Sequence, residues 1–182
     1  LPHRFLVTPA AGGYVNLPAV LMIFLMTIIL TRGTSESKLI NNFLVGVKIF
    51  IILLFIIVSV QHVNPSNWHP FLPYGYKGIF TGASAVFFSF LGFDALATSA
   101  EDAKDVDKNI PRAIILCLII STTLYVLVSL VMTGVVSYTK LNVSEAMSYV
   151  LIVKGHSFVA EIVSLGAVLG IMAVVFAFIY AG

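Results

Sequence analysis

An acid sits inside an apolar run long enough to cross a bilayer, and few folds accommodate that. The run covers residues 78–100. At about 1.5 Å per residue it matches a hydrocarbon core roughly 30 Å thick. Asp94 lies well inside it, two positions after Gly92. On insertion scales such an aspartate costs about 2.5–3.5 kcal/mol. Glycine lowers helical propensity by about 1 kcal/mol relative to alanine. Together they predict a helix that stops at Leu91–Phe93 and restarts at Asp94. Open backbone at that depth must be buried in protein or line a cavity. A helix broken at mid-membrane is the usual construction of a transporter binding site.

The remaining sequence agrees with a membrane setting. Of 182 residues, 59% are hydrophobic and 10% charged, against about 25% charged in soluble domains. The apolar runs are of helix length rather than the short alternating segments of a barrel. The predicted class is therefore an all-α polytopic membrane protein, with the lipid bilayer as a partner. A formal charge of +2 gives no reason to expect nucleic acid. The single cysteine, Cys117, excludes an internal disulfide and a cysteine-based metal site. It reads as inert filler in an apolar run. No nucleophile–base pair, phosphate loop or metal cluster is visible, so the reading is not an enzyme, with no cofactor and no metal. The chain opens at Leu1 without a methionine and closes at Gly182 on the tail of an apolar run. Both ends read as cuts, and the expectation is an internal piece of a longer protein whose remaining spans are its partners.

Five spans are expected in one transmembrane domain, at about residues 14–31, 39–60, 78–100, 112–136 and 160–180. Pro18 falls in the first turn of its span, where a missing N–H does no harm. Ser35 or Ser37 is a candidate cap for the second span. Asn109 and Pro111 are expected to open the fourth as cap and first-turn proline. Residues 143–153 mix apolar and polar positions and suggest a short helix lying on the surface. In the loop of residues 61–77, Trp68, Tyr74 and Tyr76 suit a headgroup belt. His62 and His69 match no metal-binding spacing and read as solvated interface histidines. Gly166 and Gly170 are four apart, as are Gly78 and Gly82, a spacing that lets helices pack closely. Arg32, Lys38, Lys104, Lys108 and Arg112 cluster beside span ends on one side, which the positive-inside rule makes cytoplasmic.

Two ionisable residues at membrane depth are candidate functional groups. Lys48 lies roughly 14 Å along the second span, near the middle of the core. Its stem can snorkel to the interface, or its cation can be fixed inside the bundle, able to titrate or to replace a bound metal ion. Asp94 can cap the half-helix beginning at Ala95 and can also contribute charge to a site there. The carbonyls left unpaired before the break, at about Phe88, Ser89, Phe90 and Leu91, can receive an ammonium group. Beyond it, half-helix N–H groups present a positive dipole. Around the break, Phe87, Phe88, Phe90 and Phe93 serve packing, with one or two lining or closing a cavity.

The stretch Phe90-Leu91-Gly92-Phe93-Asp94-Ala95-Leu96-Ala97-Thr98-Ser99-Ala100-Glu101-Asp102, followed by Asn109-Ile110-Pro111-Arg112-Ala113-Ile114, resembles the sixth span and following loop of amino acid permeases. These belong to the amino acid–polyamine–organocation superfamily, and the likeness is greatest to its cationic amino acid transporter branch and bacterial relatives. It extends over the whole chain, which would correspond to spans four through eight. Asp105-Val106-Asp107 departs from the Asn-Pro that relatives often carry in the loop. The resemblance implies a LeuT-like inverted-repeat fold with a discontinuous helix. It implies uptake of an amino acid coupled to protons by alternating access, across the plasma (cell inner) membrane. It implies a substrate site at Phe88, Ser89, Phe90, Leu91, Gly92, Phe93 and Asp94. Lys48 matches the fifth-span lysine that, in proton-coupled members, stands where sodium-coupled ones hold a sodium ion. The rival expectation is a truncated, non-transporting membrane scaffold or interaction subunit. An ion channel fits less well, because no pore loop or ring-forming acidic motif is present.

Overall fold

The computed structural model describes residues 16–31, 34–90 and 105–181. Among them no strand occurs, and the helices in order are α1 (Leu17–Thr31), α2 (Thr34–Val60), α3 (Gly75–Phe87), α4 (Val106–Val135), α5 (Ala146–Val153) and α6 (Ser157–Ala181). Segments Asn41–Val60, Val106–Val135 and Ser157–Val175 are long and apolar enough to cross a membrane. The chain is an all-α, polytopic membrane bundle.

Helix starts differ from the expected ones where polar residues precede the apolar run. Asn16 caps α1: its side-chain oxygen accepts the Ala19 N–H at 3.1 Å and its carbonyl accepts that of Val20 at 3.1 Å. Pro18 is in the first turn. Helix α2 begins at Thr34, so Ser35 and Ser37 lie inside its first turn and are not its caps. Helix α4 begins at Val106, and the residue before it is Asp105, whose backbone is left-handed with φ 49°. The Asp105 carbonyl accepts the N–H groups of Lys108 and Asn109 at 3.0 and 2.9 Å. Asn109 and Pro111 therefore sit within α4 rather than at its entry. Pro111 removes the hydrogen bond to the Asp107 carbonyl. That loss falls at an exposed helix end, where water can replace it.

The core is a seam between α2 and α6. Leu44, Ile51 and Phe55 form one buried stripe of α2, spaced by seven and four residues. The facing side of α6 is small: Ala160, Gly166, Gly170 and Ala173 are all buried. A Cβ on Gly166 would overlap the Ile51 side chain, so only glycine admits α2 this closely. Lipid supplies no hydrophobic drive between spans, so such packing is what holds them together. Val131 and Val135 of α4 close the seam from a third side.

Helix α5 is not the surface helix expected. Its Val150 and Leu151 are 0% and 1% exposed and belong to the core. Its Ser148 hydroxyl shares a 2.7 Å hydrogen bond with Ser164 of α6, whose own hydroxyl donates to Glu145 at 3.1 Å. The apolar–polar mixture therefore faces protein on both counts. Two residues past the end of α5 comes Gly155, whose φ of 82° lets the His156 N–H reach back to the Leu151 carbonyl at 2.9 Å. The turn seats α5 on the start of α6.

The loop after α2 is pinned to the end of α4. The Asn64 N–H and the Asn67 side-chain amide donate to the Gly134 carbonyl at 2.9 and 2.7 Å, and the Trp68 indole donates to the Leu130 carbonyl at 3.3 Å. The Gly134 carbonyl is one of those a helix C-terminus leaves open. A Cβ on Gly134 would come within 2.8 Å of Val63 and 3.1 Å of Trp68.

Candidate functional site

The third apolar run does not continue as one α-helix. Helix α3 ends at Phe87, and residues Phe88–Phe90 form a single 3-10 turn. Its 13 residues span about 20 Å at 1.5 Å per residue, short of a roughly 30 Å core. No residue of α3 is buried, and a Cβ on Gly82 would touch nothing within 4 Å. Gly78 faces only Tyr74, next to its own helix. The small-residue spacing seen at Gly78 and Gly82 is therefore not used for helix packing among the described residues, in contrast to Gly166 and Gly170. Leu91, Gly92, Phe93 and Asp94 lie outside the described residues, as does the Glu101-to-Lys104 part of the charged loop.

The turn is held from across the bundle by Tyr125 of α4. The Tyr125 hydroxyl donates to the Ser89 carbonyl at 3.2 Å. The Phe90 ring meets the Tyr125 ring edge to face, with centroids 5.4 Å apart and planes at 82°. Phe87 and Phe88 pair likewise at 6.0 Å. A carbonyl oxygen has two lone pairs, and among the described residues the Ser89 carbonyl takes the Tyr125 hydroxyl as a side-chain donor. Three residues of the expected site, Phe88, Ser89 and Phe90, thus share one turn with a carbonyl oriented by a side chain. Tyr125 escaped the reading of the sequence. Its signal was a polar cluster, Ser121-Thr122-Thr123-Leu124-Tyr125, in the middle of an apolar span.

Lys48 stands on the α2–α6 seam, away from this turn. Its stem lies over Gly170, where a Cβ would meet Lys48 Cδ and Cε at 3.6 Å, and the residue as a whole is exposed. The extensive contacts of α2 are with α6, α4, α5 and α1, not with α3. Lys48 and the Phe88–Phe90 turn are therefore two separate features. Among the described residues of α2, Ser59, next to the last residue of the helix, is a buried polar residue.

Comparison with known proteins bears on all of this. Residues 9–182 match the family model described as amino acid permease. The chain is 48% identical over 171 residues to the methylthioribose transporter of Bacillus subtilis, covering 94% of this chain and 37% of the relative. It is 43% identical over 166 residues to the branched-chain amino acid permease BcaP of the same organism, covering 91% and 36%. It is 36% identical over 156 residues to the chloroplastic cationic amino acid transporter 9 of Arabidopsis thaliana, covering 86% and 27%. The chain thus spans a little over a third of the length of the two bacterial relatives.

Proposed function

The chain belongs to the amino acid permease family, and from that premise we propose that it is the central part of a proton-coupled amino acid transporter of the plasma membrane. Its whole bundle has the LeuT-like inverted repeat and works by alternating access. The substrate ammonium group docks on the carbonyls of the Phe88–Leu91 stretch, beside Gly92, Phe93 and Asp94. Lys48 carries the coupling proton in the place of a metal ion.

One observation supports this reading above the others. An α-helix in a membrane-length apolar run gives way at Phe88 to a turn whose Ser89 carbonyl accepts the Tyr125 hydroxyl. An ammonium group donates three hydrogen bonds and accepts none, so ordered carbonyls suit it. Charge-assisted bonds of this kind are about twice as strong as neutral ones. Lys48 suits a coupling role because its stem is already packed against α6 while the residue as a whole is exposed. Loss of its proton would remove a charge from one side of the seam and favour movement of α2 against α6.

Uptake by the full-length protein in proteoliposomes, under imposed pH or sodium gradients, tests the proposal. Lys48→Met should abolish accumulation driven by a pH gradient and leave substrate exchange in place. Full retention of coupling would remove Lys48 from the mechanism. Absence of any uptake across a substrate panel would favour the scaffold reading.

The relative named as a methylthioribose transporter favours a second reading of the substrate. A methylthio-sugar has neither ammonium nor carboxylate, and its hydroxyl groups would meet the same carbonyls. Competition between branched-chain amino acids and methylthioribose for uptake separates the two.

A further inference from the structure

We propose that His62 and His156 form a binding site for a late first-row divalent metal ion, zinc being the best suited, at the end of the α2–α6 seam. His62 follows α2 and His156 immediately precedes α6. By the positive-inside pattern of the sequence, the loops that carry them lie on the side opposite the lysine and arginine cluster, which would turn the site outward. Far from being a solvated interface residue, His62 is half-buried against a histidine distant in sequence.

Three observations point to a shared ion. The ring centroids are 5.1 Å apart. Two imidazole nitrogens about 2.0–2.1 Å from one tetrahedral zinc place their ring centroids roughly 5 Å apart, so the rings already stand at the required separation. Next, His62 Nδ1 lies 3.3 Å from the Val58 carbonyl. A carbonyl only accepts, so this contact calls for the proton on Nδ1, and the neutral ring then carries its lone pair on Nε2. Metal-ligating histidines show this arrangement, with the far nitrogen donating to a backbone carbonyl. Lastly, His156 Nε2 is buried and has no hydrogen-bond partner among the described residues, and the same is true of Ser59 Oγ. Ser59, next to the last residue of α2, lies three residues before His62. Unpaired buried polar atoms require an explanation, commonly a water or an ion.

Imidazole ligands favour zinc, copper and nickel over magnesium or calcium. No cluster of three or more histidine, cysteine or acidic residues occurs among the described residues. Water, or the Ser59 hydroxyl, would complete the coordination, and open positions make the site exchangeable. The ion would tie the end of α2 to the start of α6.

The test is direct binding, so it is independent of whether the protein transports amino acids. Zinc is titrated onto the metal-stripped full-length protein in detergent against a chromogenic chelator. Wild type should bind at micromolar zinc, and His62→Ala and His156→Gln should each weaken binding about tenfold or more. His69→Ala, in the same loop, should leave it unchanged. Binding by wild type no tighter than by the His62/His156 double variant overturns the site, and leaves a buried water as the explanation of the orphaned atoms. An equal loss in His69→Ala also overturns it. Should either variant fail to fold, zinc-edge absorption on wild type decides: two imidazole ligands support the site, and none overturns it.

Discussion

The α2–α6 seam and the helix α3 with its terminal turn are both apolar and both carry glycines four apart, yet they are built to opposite ends. In the seam, Phe55 is 0% exposed and Gly166 is in contact with Ile51. In α3 no residue is buried, and its Gly82 meets nothing. The first region is fixed by interdigitated side chains. Among the described residues, the second is tethered through Tyr125, whose hydroxyl donates to the Ser89 carbonyl and whose ring meets that of Phe90. Regions with few buried contacts supply the parts of a protein that open and move. A transporter needs both kinds, a frame that keeps its shape and a binding element that does not.

Stability and uptake measured together on the full-length protein can break this comparison. The largest effect on melting is expected from Phe55→Ala. Truncating a buried phenylalanine costs about 3–5 kcal/mol in soluble cores, and the lower end applies where lipid offers no transfer term. Gly166→Ala comes next, at about 1–3 kcal/mol for overpacking, since even a methyl group overlaps Ile51. Tyr125→Phe should be the mildest, at about 0.5–1.5 kcal/mol for one hydrogen bond. The same three variants should rank in reverse for uptake per folded molecule, with Tyr125→Phe losing most. If Tyr125→Phe melts as low as Phe55→Ala, the turn is part of the frame and the contrast fails. If Gly166→Ala is neutral, the seam is looser than its geometry states.

Much of the fold could be read from local patterns. The lengths of the apolar runs identify an all-α membrane chain, and the Phe90-to-Ile114 motif identifies the family, which the match over residues 9–182 supports. Helix entries were less legible. Thr34 and Val106 begin their helices ahead of the apolar runs, because a helix once nucleated extends through polar residues at little cost. Helix α5 was misjudged because eight residues of mixed polarity look the same whether the polar groups meet water or the Ser148–Ser164 pair. Of the candidate site, Phe88 to Phe90 were visible as the end of a run that contains Gly92 and Asp94. Tyr125 was not, since its partner is 36 residues away.

Composition and periodicity settled what each stretch prefers to be, since bilayer solvation and helix propensity act on neighbours along the chain. They established a membrane protein of helices, with polar residues at depths where they are costly. Which stretches meet was decided only in three dimensions. The pairing of Ser89 with Tyr125, of Gly134 with Asn64 and Asn67, and of His62 with His156 depends on how the helices cross. Crossing is set by the shapes of whole faces, and no residue carries that information in its own neighbourhood.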